Sequence, residues 1–101
     1  MALKPVVIAL NASGLATAQK VAKVLGAQVH GREGRVAQAD AWFANALDHA
    51  RDLFAAGVPI VGVCASGILI RAVAPLLVDK TTEPPVVSVS DDGSVVVPLL
   101  G

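Results

Sequence analysis

The segment Ile60-Val61-Gly62-Val63-Cys64-Ala65-Ser66-Gly67-Ile68-Leu69-Ile70-Arg71 changes character halfway along. Its first four residues form a short apolar run, the pattern of a strand covered on both faces. Cys64-Ala65-Ser66-Gly67 is a turn. Ile68 to Leu77 is apolar almost all round, as in a buried helix, and Pro75, lacking an amide proton, should kink or end it. A strand that passes through a tight turn into a helix is half of a βαβ unit, and the flanking sequence supplies more of the same.

Upstream, Val6 to Leu10 is a second such run, after Pro5. Asn11-Ala12-Ser13-Gly14 interrupts it, with Ser13 placed as an N-cap. Leu15, Ala18, Ala22 and Leu25 share one face of the following helix, and Gly26 stops it. Ala27 to His30 reads as a short strand and Gly31-Arg32-Glu33-Gly34-Arg35 as a loop. Asp40 is expected to cap the next helix, on which Phe43, Ala46, Leu47, Ala50, Leu53 and Phe54 follow helical spacing up to Gly57. Downstream, Asp79-Lys80-Thr81-Thr82-Glu83-Pro84-Pro85 is a polar connector. Val86 to Val89 is a strand, Asp91-Asp92-Gly93 turns the chain, and Val95 to Leu99 returns antiparallel as a hairpin.

The expected fold is therefore a single α/β domain over residues 1–101 in three layers. Its sheet should be mostly parallel and five-stranded, in the order 2-1-3-4-5, with an antiparallel C-terminal edge hairpin. Ligands of such sheets gather at the carboxyl ends of the strands, which here carry Asn11 to Gly14 and Cys64 to Gly67.

Composition narrows the function. Apolar residues make up 54% of the chain, more than a small domain needs, so both a buried sheet and an apolar patch for a partner are expected, with self-association possible. Eight basic and eight acidic residues cancel without forming blocks. With Trp42, Phe43 and Phe54 assigned to one helix, neither a basic stripe nor a stacking platform for nucleic acid emerges. Cys64 is the lone cysteine, which fits a reducing cytoplasm, and no signal peptide opens the chain. Val58 to Val78 holds one charge and is about long enough to span a bilayer. Pro59, Gly62, Gly67 and Pro75 interrupt it, and a central arginine costs about 2.5–3.5 kcal/mol, so a buried strand and helix explain it better. His30 and His49 lack zinc-site spacing, and no metal set is assembled.

Four features could carry chemistry. The Asn11–Gly14 turn opens a helix and offers backbone amides to an anion, though a turn plus a cap explains it as well. Cys64 and Arg71 resemble the phosphatase loop, except that six residues separate them where five are needed; the extra one turns Arg71 about 100° around a helix. Cys64 then reads as a small buried hydrophobe. Arg71 is the sole charge between Asp52 and Asp79, on an apolar helix. It either pairs with Asp79 or reaches water from the helix edge, or else its planar guanidinium clamps a substrate carboxylate. Asp79-Lys80 is an ordinary solvated pair unless it lies near the ligand end. No catalytic residue can be assigned.

The stretch Ala65-Ser66-Gly67-Ile68-Leu69-Ile70-Arg71-Ala72-Val73-Ala74-Pro75-Leu76-Leu77-Val78-Asp79-Lys80 closely resembles a motif of the cobalamin-biosynthesis CbiG family. Glu83-Pro84-Pro85-Val86-Val87, Asp91-Asp92-Gly93 and Val97-Pro98-Leu99-Leu100 extend the likeness from Ile60 to Gly101. It implies work on corrin intermediates, with Ser66, Gly67, Arg71, Asp79 and Lys80 as substrate-binding residues. One role in the family is the cobalt-precorrin-5A hydrolase, which opens a lactone and releases acetaldehyde. In another, a similar region is fused ahead of a precorrin-3B methyltransferase, which uses S-adenosylmethionine; this domain itself is expected to bind no cofactor. The chain has Glu83-Pro84-Pro85 where the family usually has Asp-Pro-Ala, and Ser66 where Thr is frequent. The family also continues past Pro-Leu-Leu into a Gly-His segment, so the resemblance reads this chain as cut short at its C-terminus and inactive alone. Two other functions fit the residues: a non-catalytic module docking a methyltransferase domain, and a flavodoxin-like binder of a phosphorylated ligand.

Overall fold

The computed structural model describes residues 3–77 and 83–101. Asp79 and Lys80, and with them the expected Arg71–Asp79 pair, lie outside the described residues. Six strands form one sheet: β1 (Val6–Ala9), β2 (Gln28–Arg32), β3 (Ala41–Phe43), β4 (Ile60–Val63), β5 (Val86–Val89) and β6 (Val96–Leu100). Their order is β3-β2-β1-β4-β5-β6, parallel except for the β5–β6 hairpin. The arrangement differs from the expected five-stranded 2-1-3-4-5 by an edge strand, β3, added outside β2.

Three prolines mark where the central strands start. Pro5, Pro59 and Pro85 each stand just before β1, β4 and β5, and fix an extended entry. Their carbonyls stay available: Pro59 O accepts from Val6 N–H and Pro85 O from Ile60 N–H, each opening a parallel ladder. Within β1 the alternation is complete. Val6, Ile8 and Leu10 join the core beneath two helices, α2 (Ala46–Ala55) and α3 (Ser66–Val73). Val7 and Ala9 join a second core beneath α1 (Leu15–Leu25), with Ala18, Ala22, Val29, Val63 and Val89. A strand buried on both faces has no wet side, so its letters run apolar without a break. The domain is thus three layers deep, as expected.

Helix limits follow local chemistry. α1 ends at Gly26, whose φ of 64° is the left-handed conformation a glycine adopts freely. Its N-cap is Gly14 rather than Ser13; the Ser13 hydroxyl is turned instead toward Asn11 and Asp91. α2 starts five residues later than the Asp40 cap implied. Its N-cap is Asn45, whose Oδ1 accepts from Asp48 N–H at 3.0 Å. Asp40 does bind a backbone amide, but across the sheet: its Oδ2 accepts from Val29 N–H at 2.8 Å, and Asp40 N–H returns to Val29 O. These two bonds start the β2–β3 pairing, so Trp42 and Phe43 stand on a strand and only Phe54 on a helix. β2 reaches Arg32, two residues further than expected, into the stretch read as a loop. α3 runs from Ser66 to Val73, and a 3-10 turn, Ala74–Leu76, takes over where Pro75 removes a donor.

The apolar excess is accounted for in two places. The cores take most of it, and the surface carries the rest, on Val24, Trp42 and Ile70 among others and on Val95, Val96 and Val97 at the start of the β6 edge, at 55%, 59% and 40% of their surface. Pro98 lies in that edge strand and has no amide proton to offer a further strand. Among the described residues no helix is long and apolar enough to cross a membrane.

Candidate functional site

Two cavities open at the end of the sheet where the parallel strands run out. The first, of about 240 Å³, lies between the ends of β1 and β2 and the helices α2 and α3. Leu10, Leu47 and Ile68 give it an apolar wall, and Arg32, Arg71 and Asn45 its polar groups. Each is brought there by an element that begins or ends at this rim. Leu10 follows the last residue of β1, Arg32 closes β2, and Asn45 caps α2. Arg71 sits in the last turn of α3, and helical side chains tilt toward the helix N-terminus, which here means toward the rim.

The backbone beneath both arginines is tied down. Arg32 O accepts from Arg35 N–H and Val36 N–H, and the next residue, Glu33, donates to Phe43 O at 2.9 Å. On the helix side, Arg51 of α2 donates from Nε to Ala72 O at 3.0 Å and from a terminal nitrogen to Arg71 O at 3.3 Å. A guanidinium on the last-turn carbonyls satisfies groups the helix leaves open and complements its dipole. Arg51 therefore fixes where α3, and Arg71 on it, lies against α2. The Arg71 side chain is exposed, and among the described residues no carboxylate lines the cavity. Asn45 spends its amide oxygen on the helix cap and keeps its NH₂ as a donor.

The second cavity, of about 630 Å³, is bounded by the ends of β4 and β5, the first turn of α3 and the β5–β6 turn. Its polar lining is hydroxyl and acid, from Ser66, Ser88, Ser90, Ser94, Asp91 and Asp92, beside the apolar Ala65, Val95 and Val97. Cys64 opens onto it too, but burial, and after it the Asp91 charge, push its thiol up to about 11. A thiol held neutral at neutral pH is a poor nucleophile. With Arg71 in the other cavity, the phosphatase-like pairing dissolves. Ser88 is buried and donates to Cys64 O at 2.8 Å. Asp92 accepts from the Ser94 hydroxyl and amide and from the Ser90 hydroxyl, which draw its carboxyl down to about 2.

Asp91 also changes the character of the Asn11–Gly14 turn. The Ser13 hydroxyl lies 2.5 Å from Asp91 Oδ2 and 2.6 Å from Asn11 Oδ1, and its one proton serves either. Thr17 of α1 donates to Asp91 O as well. An internal carboxylate thus stands beside this turn, tied to it by the Ser13 hydroxyl.

The residues singled out in the sequence thus divide. Ser66 lines the hydroxyl-and-acid cavity and Arg71 the cationic one. Gly67 lies exposed in the first turn of α3, with open space where a Cβ would be. Arg32 and Asn45 were not anticipated, since only the pairing of β2 with β1 and the late start of α2 bring them to Arg71. His30 and His49, set aside for want of metal spacing, do meet, with Nδ1 and Nε2 2.8 Å apart. Among the described residues, however, no group of three or more His, Cys, Asp or Glu could hold a metal.

Comparison with curated proteins and with solved structures gives no significant match. The family model for cobalamin synthesis G N-terminal matches residues 48–101, more than half of the 101-residue chain. The matched part runs from α2 to β6 and includes Arg51, Ser66, Gly67 and Arg71, whereas Arg32 and Asn45 precede it. The chain belongs to the cobalamin synthesis G N-terminal family.

Proposed function

We propose that this domain of cobalamin biosynthesis binds a precorrin intermediate by its acidic side arms at the Arg71 cavity. The observation that supports this best is Arg71 itself, an exposed arginine on an apolar helix at the carboxyl end of a parallel sheet, beside an apolar wall. A corrin intermediate carries acetate and propionate arms on a largely apolar ring. The ring suits Leu10, Leu47 and Ile68, and a carboxylate suits the planar guanidinium fork. Among the described residues the cavity's lining supplies guanidiniums and an amide but no carboxylate, imidazole or thiol. Its part is therefore to hold the substrate rather than to break a bond, in the setting of a cobalt-precorrin-5A hydrolase or beside a precorrin-3B methyltransferase.

The test is titration of the chain with cobyrinic acid, a corrinoid bearing free carboxylates. Arg71→Met should weaken binding by about tenfold, the scale of one lost charge-assisted contact, while the urea midpoint stays close to that of the parent. Equal loss of binding and of folding stability would show that Arg71 is structural.

A further inference from the structure

Arg32 and Arg71 reach one cavity from opposite walls, the first from the end of β2 and the second from α3. Two guanidiniums facing one space repel each other, and among the described residues nothing acidic lines that space to offset the repulsion. Neither can drift apart with its backbone, because Arg32 is held by the turn bonds and α3 by Arg51. The described lining is therefore a positive site with an apolar wall and one spare amide donor. Its best occupant is an anion whose charge falls between the two guanidiniums and whose body lies on Leu10, Leu47 and Ile68.

We infer that Arg32 is a specificity residue: with Arg71 it grips a single carboxylate, so the site selects a free acid arm over the same arm as an amide. This rests on the cavity being the corrinoid site. A carboxylate accepts from both forks at once and cancels their repulsion, whereas a carboxamide offers one neutral oxygen and leaves the cationic pair uncompensated. The ligand class that follows is a ring polycarboxylate before amidation of the arm bound here.

Two probes test this on the full chain: cobyrinic acid, with free carboxylates, and cobinamide, in which the side arms are amides. The parent should prefer the acid by about tenfold or more, and Arg32→Met should reduce that preference, costing the acid several-fold more affinity than it costs cobinamide. Arg32→Lys, which keeps the charge but loses the fork, should fall between. In the double variant Arg32→Met/Arg71→Met, the loss for the acid should be smaller than the two single losses combined, because one carboxylate serves both. If Arg71→Met weakens the acid and Arg32→Met does not, the inference fails while the corrinoid site stands. If Arg32→Met weakens both probes equally, Arg32 shapes the cavity without selecting charge and the inference is also wrong. If the parent binds neither probe, both the site and the inference are overturned.

Discussion

His30 Nδ1 and His49 Nε2 lie 2.8 Å apart, joining the middle of β2 to the first turn of α2. The two rings are tilted by 43°, and on its other side His49 stacks on Phe43 of β3 at 4.7 Å. One ring must present a lone pair to the N–H of the other, so the contact needs at least one neutral imidazole.

Stability should therefore fall on mild acidification. Burial first, then the His49 charge, lower the His30 pKa below 6.5 against an opposing pull from Asp40; burial lowers that of His49 against Asp52. A lowered folded-state pKa means that the unfolded chain binds more protons as pH drops through 6.5. The stabilisation is complete above 6.5 and is lost as pH falls toward the folded-state values. Urea midpoints measured from pH 7.5 to 5 should decline, and His49→Gln, which cannot charge, should flatten the decline. An unchanged slope in that variant would separate the acid loss from this pair.

How much of this was legible depended on range. Val6 to Leu10 and Ile60 to Val63 announced themselves as buried strands because both faces of each are covered, and Arg71 stood out as a lone charge. β3 did not. It is three residues long, too short to show alternation, and Phe43 sits at helical spacing from Leu47, Ala50 and Phe54, so a core phenylalanine on either element leaves the same letters. Asp40 showed a real affinity for a backbone amide, yet the amide belongs to Val29, eleven residues back, and not to a helix. Arg32 lay among charges and glycines that read as a loop, and only the β1–β2 register carries it to the rim. The histidine pair is likewise a product of packing, nineteen residues apart in sequence.

The start of α2 offers a direct check of that correction. Asn45 accepts from Asp48 N–H, so Asn45→Ala should remove about 1 kcal/mol and lower Tm by roughly 4–8 °C in a domain of this size. Asp40→Ala should leave helicity intact and instead speed amide exchange at Val29, whose N–H loses its acceptor. Loss of α2 helicity in the Asp40 variant would return the cap to Asp40.

Cys64 should be slow to alkylate. A thiol raised from 9.0 to about 11 has roughly a hundredfold less thiolate at neutral pH than an ordinary cysteine. Its rate with iodoacetamide should be lower by about that factor and should keep rising up to about pH 11. Asp91→Asn removes the charge that adds to burial, and should quicken the reaction. Rapid modification at pH 7.5 in the folded protein would mean that the thiol is activated, and would reopen a nucleophilic role at the hydroxyl-lined cavity.

Gly62 and Gly67 respond to the same added methyl in opposite directions. At Gly62 a Cβ would lie 2.7 and 3.0 Å from the two Leu69 methyls and 3.1 Å from Cys64 Sγ. Leu69 is only 1% exposed, so its methyls have nowhere to turn, and Gly62→Ala should cost about 1–3 kcal/mol by overpacking. At Gly67 nothing lies within 4 Å and the position is helical, so Gly67→Ala should stabilise by up to about 1 kcal/mol through helix propensity. Corrinoid binding then separates structure from function at that position. A stabilised Gly67→Ala that binds cobyrinic acid as the parent does makes the glycine a neutral feature of the α3 first turn. A stabilised variant that binds poorly makes the bare backbone at Gly67 a surface the ligand touches, since the methyl meets no protein atom it could disturb.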